Sequence, residues 1–107
     1  MKSKEQIVEQ LRIEKARILQ DFDFAKTAAM FRVLGHSYSG GGYPAEETLL
    51  SIAASLMDSA IREYQKTGKP TRVSSGMLIA FVHEWNSSVE LELVYNPLGL
   101  SKAVWKD

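Results

Sequence analysis

The stretch Gly35–Gly68, GHSYSGGGYPAEETLLSIAASLMDSAIREYQKTG, decides the fold of this chain. Its beginning is rich in glycine and cannot continue a helix. From Pro44 onward, apolar residues recur at three- and four-residue steps, which predicts a helix with a wide buried face. That face consists of Leu49, Ala53, Leu56, Ala60 and Tyr64, with Leu50, Met57 and Ile61 alongside. Pro44 is expected in the first helical turn, and Gly68 is expected to end the helix.

The glycine-rich segment between Gly35 and Pro44 has two readings. It is a flexible connector, or its backbone N–H groups approach an anion or a partner subunit. His36, Tyr38 and Tyr43 are candidates to line such a site, although aromatic residues beside glycine and proline are also ordinary turn anchors. The segment is not a P-loop, because the Gly-Lys-Ser/Thr of that motif is missing.

The first 35 residues predict helix over about 3–35, interrupted once. Ser3 and Gln6 have the spacing of a capping box. The sequence Asp21-Phe22-Asp23-Phe24 breaks the helical period, and Asp23 is a plausible N-cap for a second helix. One apolar face contains Ile7, Val8, Leu11, Ile18, Leu19 and Phe22. Glu14 is expected to lie largely off that face.

After Gly68 the apolar period changes to two, which predicts a strand over about 72–84. In this strand Val73, Phe81 and His83 share one face, and Arg72 lies on the other. Both faces are apolar near the centre, so we expect both to be covered. A turn containing Asn86 leads into a return strand over about 88–95.

The predicted fold class is therefore α+β, in a single domain spanning 1–107. An N-terminal helical hairpin of two or three helices, over about 3–35 and 44–67, precedes an antiparallel β-hairpin. Because an isolated hairpin is marginally stable, it must pack on the helices or pair with another copy. We expect an oligomer. Trp105 near the end of the chain suggests that the tail is docked.

Composition narrows the functional classes. The 107 residues include 13 basic and 13 acidic residues and no cysteine. The neutral balance argues against binding to a nucleic acid polymer, whereas a small anion held by a few arginines fits. The absence of cysteine excludes disulfides and zinc–thiolate sites and suits a reducing cytoplasm. No signal-peptide core and no membrane-spanning run is expected, which predicts a cytoplasmic protein without a membrane partner.

The chain offers little for catalysis. Two histidines without short ligand spacing predict no metal site, and no Ser-His-Asp constellation can be assembled. His83, at a strand end, is a rim residue or a ligand contact. Arg62 and Arg72 flank the helix-to-strand turn and are either solvated charges or a bidentate phosphate clamp. An enzyme is the least favoured class, and we expect neither catalytic activity nor a cofactor.

Two segments suggest a family. The segments Ala28–Gly35 (AAMFRVLG) and Glu46–Tyr64 (EETLLSIAASLMDSAIREY) resemble the helical hairpin shared by two phage immune-evasion families. These are the Thoeris anti-defence sponges and the anti-CBASS cyclic-nucleotide sponges. The first family adds strands to the hairpin, as this chain does, and the similarity covers roughly residues 24–95.

The resemblance implies a non-catalytic viral protein that sequesters a nucleotide immune second messenger in the host cytoplasm. The implied ligands are cyclic ADP-ribose isomers, with cyclic oligonucleotides as second ligands, and the implied assembly is a homo-oligomer built from dimers. Phe81 and Asn86 match the aromatic residue and the asparagine that hold the nucleotide, with Asn96 as the alternative asparagine. Arg62 and Arg72 match the phosphate contacts. The competing hypothesis is a small oligomeric interaction or inhibitor protein without a small-molecule ligand.

Overall fold

A computed structural model describes residues 3–35, 42–75 and 77–96. Its elements are α1 (Lys4–Asp21), α2 (Phe24–Val33), α3 (Glu46–Thr67), β1 (Thr71–Ser75), β2 (Leu78–Trp85) and β3 (Ser88–Tyr95). The three strands form one antiparallel sheet in the order β1-β2-β3. The predicted α+β class is confirmed. His36, Tyr38, Trp105 and most of the glycine segment lie outside the described residues.

The ends of the helices follow local sequence signals. Ser3 and Gln6 form the expected reciprocal capping box at α1, with distances of 3.2 and 2.9 Å. The Asp23 carboxylate accepts the Lys26 N–H at 2.9 Å and caps α2. Gly68 ends α3 in the left-handed conformation, with φ of 70°. Side-chain caps and a C-terminal glycine satisfy backbone groups that a helix leaves unpaired, so these signals act without tertiary contacts.

The start of α3 differs from the expectation. Its N-cap is Ala45, so Pro44 precedes the helix and does not occupy its first turn. Pro44 is nevertheless buried, as is Leu49. These two residues occupy the positions of a hydrophobic staple, in which the residue before the N-cap packs toward the fourth helical residue. Pro44 therefore fixes the direction in which the chain enters α3.

The core lies between α3 and one face of the sheet. Helix α3 packs on β1 and β2, and helices α1 and α2 flank it. Its buried residues are Leu49, Ala53, Leu56, Met57, Ala60, Ile61 and Tyr64, which is the stripe predicted from the sequence. The middle strand contributes Leu78, Ala80 and Val82, all fully buried in the same cluster. We call the sheet face that carries these three residues the inner face.

The expectation of one strand over 72–84 is wrong. The chain reverses direction between Ser75 and Leu78, which pair with each other, so the segment forms β1 and β2 and the predicted β-hairpin is a three-stranded sheet. The sequence Ser-Gly at 75–76 is a turn signal that the continuing alternation of apolar residues conceals. Because residues 75 and 78 face each other, odd positions of β1 share a face with even positions of β2. Arg72 and Phe81 therefore lie on the same face.

Helix α1 contributes two polar contacts to the packing. Lys15 forms a 2.7 Å ion pair with Asp58 and so joins α1 to α3. Glu14, expected off the apolar face, is buried beside Val8 and Leu11. Its Oε1 accepts the backbone N–H of Leu91 on β3 at 2.9 Å. This long-range contact, which local periodicity does not encode, explains why a hydrogen-bond acceptor lies in the buried stripe.

The buried phenol of Tyr64 makes the stability of the fold decrease at alkaline pH. Burial raises the pKa of its phenol above the usual value near 10, and the negative charge of Glu84 raises it further. A raised pKa in the folded state means that the folded chain keeps this proton after the unfolded chain has released it. Stability from this residue is therefore present below about pH 10 and is lost as the pH rises through the folded pKa.

We expect Tyr64→Phe to resist alkali better than the unchanged chain. The free energy of unfolding of the variant minus that of the unchanged chain should increase between about pH 9 and pH 11. The reason is that phenylalanine has no proton to lose. Urea denaturation at the two pH values measures the difference. Lysine titration is common to both proteins and cancels. A difference that stays constant over this range would contradict the assignment.

Candidate functional site

The second face of the sheet, which we call the outer face, carries several of the predicted site residues. Register places Arg72 on β1 opposite Phe81 on β2, and Phe81 opposite Glu92 on β3. Two residues after Phe81 on β2, His83 lies opposite Glu90. Since successive side chains of a strand alternate between faces, all five share the face that points away from α3. Ser74, Ile79, Trp85, Ser88 and Val94 share it as well.

The centre of the outer face is apolar, and its two sides carry opposite charges. Phe81 is partly buried, and Ile79 retains only 7% of its surface. Arg72 is exposed on β1, whereas Glu90 and Glu92 are exposed on β3. A partly exposed aromatic ring with a guanidinium in the cross-strand position is an arrangement that can stack a flat ring and pair an anion.

His83 is coupled to the acidic side of this face. Its Nε2 lies 2.7 Å from Glu92 Oε1, and the two side chains are 32% and 57% exposed. Nε2 has no hydrogen-bond partner of good geometry. When the imidazole is protonated, its contact with Glu92 is therefore an attraction between two nearby charges and not a hydrogen bond. Such a half-exposed pair contributes little to stability, so its placement beside Phe81 is the more informative feature.

Trp85 is a member of the outer face that lies one residue beyond the strand predicted over 72–84. It occupies the last position of β2, opposite Ser88, and is 65% exposed. The signal was present in the sequence, because Trp85 continues the alternation of Phe81 and His83 by one step. A large indole in solvent at the rim of a sheet offers a second stacking surface.

Arg62 is not brought to this face. Arg62 is exposed on α3, which packs on the inner face, and its guanidinium donates to Ser59 Oγ at 3.4 Å. The predicted clamp of Arg62 with Arg72 therefore places its two arginines on different layers.

The two asparagines lie at opposite ends of β3. Asn86 forms the β2–β3 turn with Ser87, and both have positive φ, at 49° and 67°. This is the turn conformation that asparagine adopts readily and that matches the twist of a hairpin. Asn96 follows β3, is buried, and its backbone N–H donates to the Met77 carbonyl at 2.7 Å. The side chain of Asn86 is exposed at the end of the sheet that carries Trp85.

A cleft lined by other residues lies elsewhere. It has a volume of about 790 Å³ and lies between α1 and the start of β3. None of the five predicted ligand residues lines it. Its polar groups come from Glu14, Gln10, Glu90, Ser87 and Ser88. The sequence reading missed this site because it depends on the contact between Glu14 and Leu91, which are distant in the chain.

The described residues contain no group of three or more side chains placed to hold a metal ion. Within them, no helix combines the length and the apolar character that crossing a bilayer requires. Searches against protein-family models, curated proteins and solved structures find no match to the chain.

The turn geometry predicts the behaviour of Asn86 variants. Asn86→Gly should change the free energy of unfolding by less than about 0.5 kcal/mol, because glycine accepts positive φ without strain. Asn86→Val should lower it by about 1–2 kcal/mol, since a β-branched residue is strained there. Urea denaturation gives both values. If Asn86→Gly kept its stability but lost binding of a nucleotide, the side chain would have a ligand role beyond the turn.

Proposed function

We propose that the chain is a non-catalytic sponge that sequesters a nucleotide immune second messenger in the host cytoplasm. The ligand class is a cyclic ADP-ribose isomer, with cyclic oligonucleotides as second ligands. One observation carries the proposal: Arg72 and Phe81, both named from the resemblance to the sponge families, are cross-strand neighbours on the outer face of the sheet. An isolated aromatic or arginine would not support it, whereas the pair matches the two chemical parts of a nucleotide.

Each part of the ligand has a partner on this face. The base stacks on the Phe81 ring, an interaction worth about 1–3 kcal/mol per base. The pyrophosphate pairs with Arg72, whose planar fork can make two hydrogen bonds to one phosphate. Glu92 and Glu90 repel phosphate and accept hydrogen bonds from ribose hydroxyls or an adenine amino group. The charge gradient across the sheet thus orients the phosphates toward β1.

Titration calorimetry with cyclic ADP-ribose isomers tests the proposal. We expect Phe81→Leu to weaken binding by roughly 5- to 150-fold, because leucine keeps the apolar character but removes the stacking surface. Arg72→Gln should weaken it by roughly tenfold or more, the value of a hydrogen bond to a charged group. Arg62→Gln is the matched control, since it removes one exposed arginine from the other layer and should leave affinity unchanged.

Three results would count against the sponge. The first is the absence of heat at high protein concentration with every isomer tested. The second is an equal loss of affinity in the Arg62→Gln and Arg72→Gln variants, which would indicate general attraction to positive charge. The third is chemical conversion of the ligand during the titration, which would return an enzyme to consideration. Thermal unfolding of each variant shows whether it remains folded.

The outer face also favours a second candidate, an interaction protein that pairs with a copy of itself. Its apolar centre and the 65% exposure of Trp85 are typical of a surface that meets a partner. In a dimer with a two-fold axis parallel to β2, the outer faces of the two copies would pack against each other. This axis places β1 of one copy over β3 of the other. Arg72 of each copy would then lie over Glu92 of the other, and the two Phe81 rings would meet at the axis.

The size of this face sets the expected strength of such a dimer. Three strands of up to eight residues present a surface of about 14 by 27 Å. The area that two such faces would bury between them lies at or below the lower end of the roughly 1,200–2,000 Å² that stable interfaces bury. The dimer would therefore be weak and concentration-dependent, and the predicted homo-oligomer would be built from such pairs.

Charge reversal distinguishes the two candidates. Sedimentation equilibrium should show that Arg72→Glu and Glu92→Arg each weaken self-association and that the double variant restores it, because the pair is regained with its signs exchanged. The same double variant should not regain affinity for an anionic nucleotide if Arg72 holds the phosphates. Self-association that is unaffected by either single reversal would exclude this face-to-face arrangement.

A further inference from the structure

The cleft between α1 and β3 contains a buried carboxylate that no cation of the described chain neutralises. Glu14 lines the cleft and is only 8% exposed. Its Oε1 accepts the Leu91 N–H at 2.9 Å, and its Oε2 accepts the Gln10 side-chain amide at 3.3 Å. Among the described residues, no lysine, arginine or histidine nitrogen forms an ion pair with it. Burying a carboxylate without a counter-charge is costly, even when it is hydrogen-bonded.

The role of Glu14 at the edge of the sheet does not account for its charge. Strand β3 is an edge strand, and Leu91 directs its N–H away from β2 toward α1. An acceptor at position 14 satisfies this N–H and blocks the edge against pairing with another strand. A glutamine would provide the same acceptor through its amide oxygen, without the cost of burying a charge. The negative charge at this position therefore needs a second explanation.

The other residues that line the cleft also suit a positively charged ligand. A second carboxylate, Glu90, lies at its exposed rim, and Ser88 Oγ is 3.4 Å from Glu90 Oε2. Ile7 and Val89 provide apolar lining. The described residues that line the cleft include no basic side chain, which makes the site unsuitable for phosphate. Its volume of about 790 Å³ lies within the range of small-molecule sites, about 300–1,000 Å³.

We infer that this cleft binds a small aliphatic diamine. One ammonium group pairs with Glu14 inside the cleft, the alkyl chain lies on Ile7 and Val89, and the second ammonium group meets Glu90 at the rim. An ammonium ion is a compact donor of three hydrogen bonds, and it supplies the counter-charge that the buried carboxylate lacks. This site shares Glu90 with the outer face but does not include Arg72 or Phe81, and its ligand has the opposite charge to a nucleotide.

The probe for the experiment is 1,5-diaminopentane, with 1,5-pentanediol as a neutral ligand of matched length. Titration calorimetry of the full chain should show binding of the diamine and none of the diol. Glu14→Gln should weaken diamine binding at least tenfold, because it keeps the acceptor for Leu91 but removes the charge. Glu90→Gln should weaken it several-fold. Glu47→Gln, which removes an exposed carboxylate from the first turn of α3, is the control and should have no effect.

The inference is overturned if the unchanged chain does not bind the diamine. It is also overturned if Glu47→Gln weakens binding as much as Glu90→Gln, since the diamine would then respond only to general negative charge. Equal affinity of the diol would show that the carboxylates are not the recognition elements. If Glu14→Gln unfolds the chain, the comparison of Glu90→Gln with Glu47→Gln decides alone, because both positions are exposed.

Discussion

The structure depends on the burial of the α3 stripe against the inner face of the sheet. Seven side chains of α3 are buried, and the three fully buried residues of β2 belong to the same cluster. At about 25 cal/mol per Å² of apolar surface, burial at this contact stabilises the fold strongly. Because a strand alternates its side chains, fixing Leu78, Ala80 and Val82 inward also fixes Phe81 and His83 outward. The outer face is thus a consequence of the core.

Features encoded by adjacent residues were predictable from the sequence. The helix stripe, the Ser3–Gln6 box, the Asp23 cap, the Gly68 stop and the Asn86 turn all depend on groups a few positions apart. The turn between β1 and β2 was missed for a physical reason. When residues 75 and 78 pair, the parity of inward positions changes from odd to even, yet the apolar alternation continues smoothly through the turn. One missed turn therefore moved Arg72 to the wrong face relative to Phe81.

The candidate sites were less predictable, because they depend on contacts between distant segments. Phe81, Arg72 and His83 could be named individually, but only strand register shows that they share a face with Glu90 and Glu92. Glu14 could not be identified at all, since its partner Leu91 is 77 residues away. The composition is equally uninformative here. A net charge of zero conceals a positive residue on β1, two carboxylates on β3, and a cleft whose described lining residues are acidic or neutral.

Strand β3 connects the two surfaces, and the core fixes its register. A slip of one residue against β2 would turn Leu91 and Leu93 outward and turn Glu90 and Glu92 toward the buried layer. Each unpaired carboxylate buried in this way would cost several kcal/mol, which is a large part of the roughly 5–15 kcal/mol that stabilises a typical domain. The slipped register is therefore excluded. The same apolar residues that hold β3 on the core thus determine where Glu92 lies beside Phe81 and where Glu90 lies at the rim of the cleft.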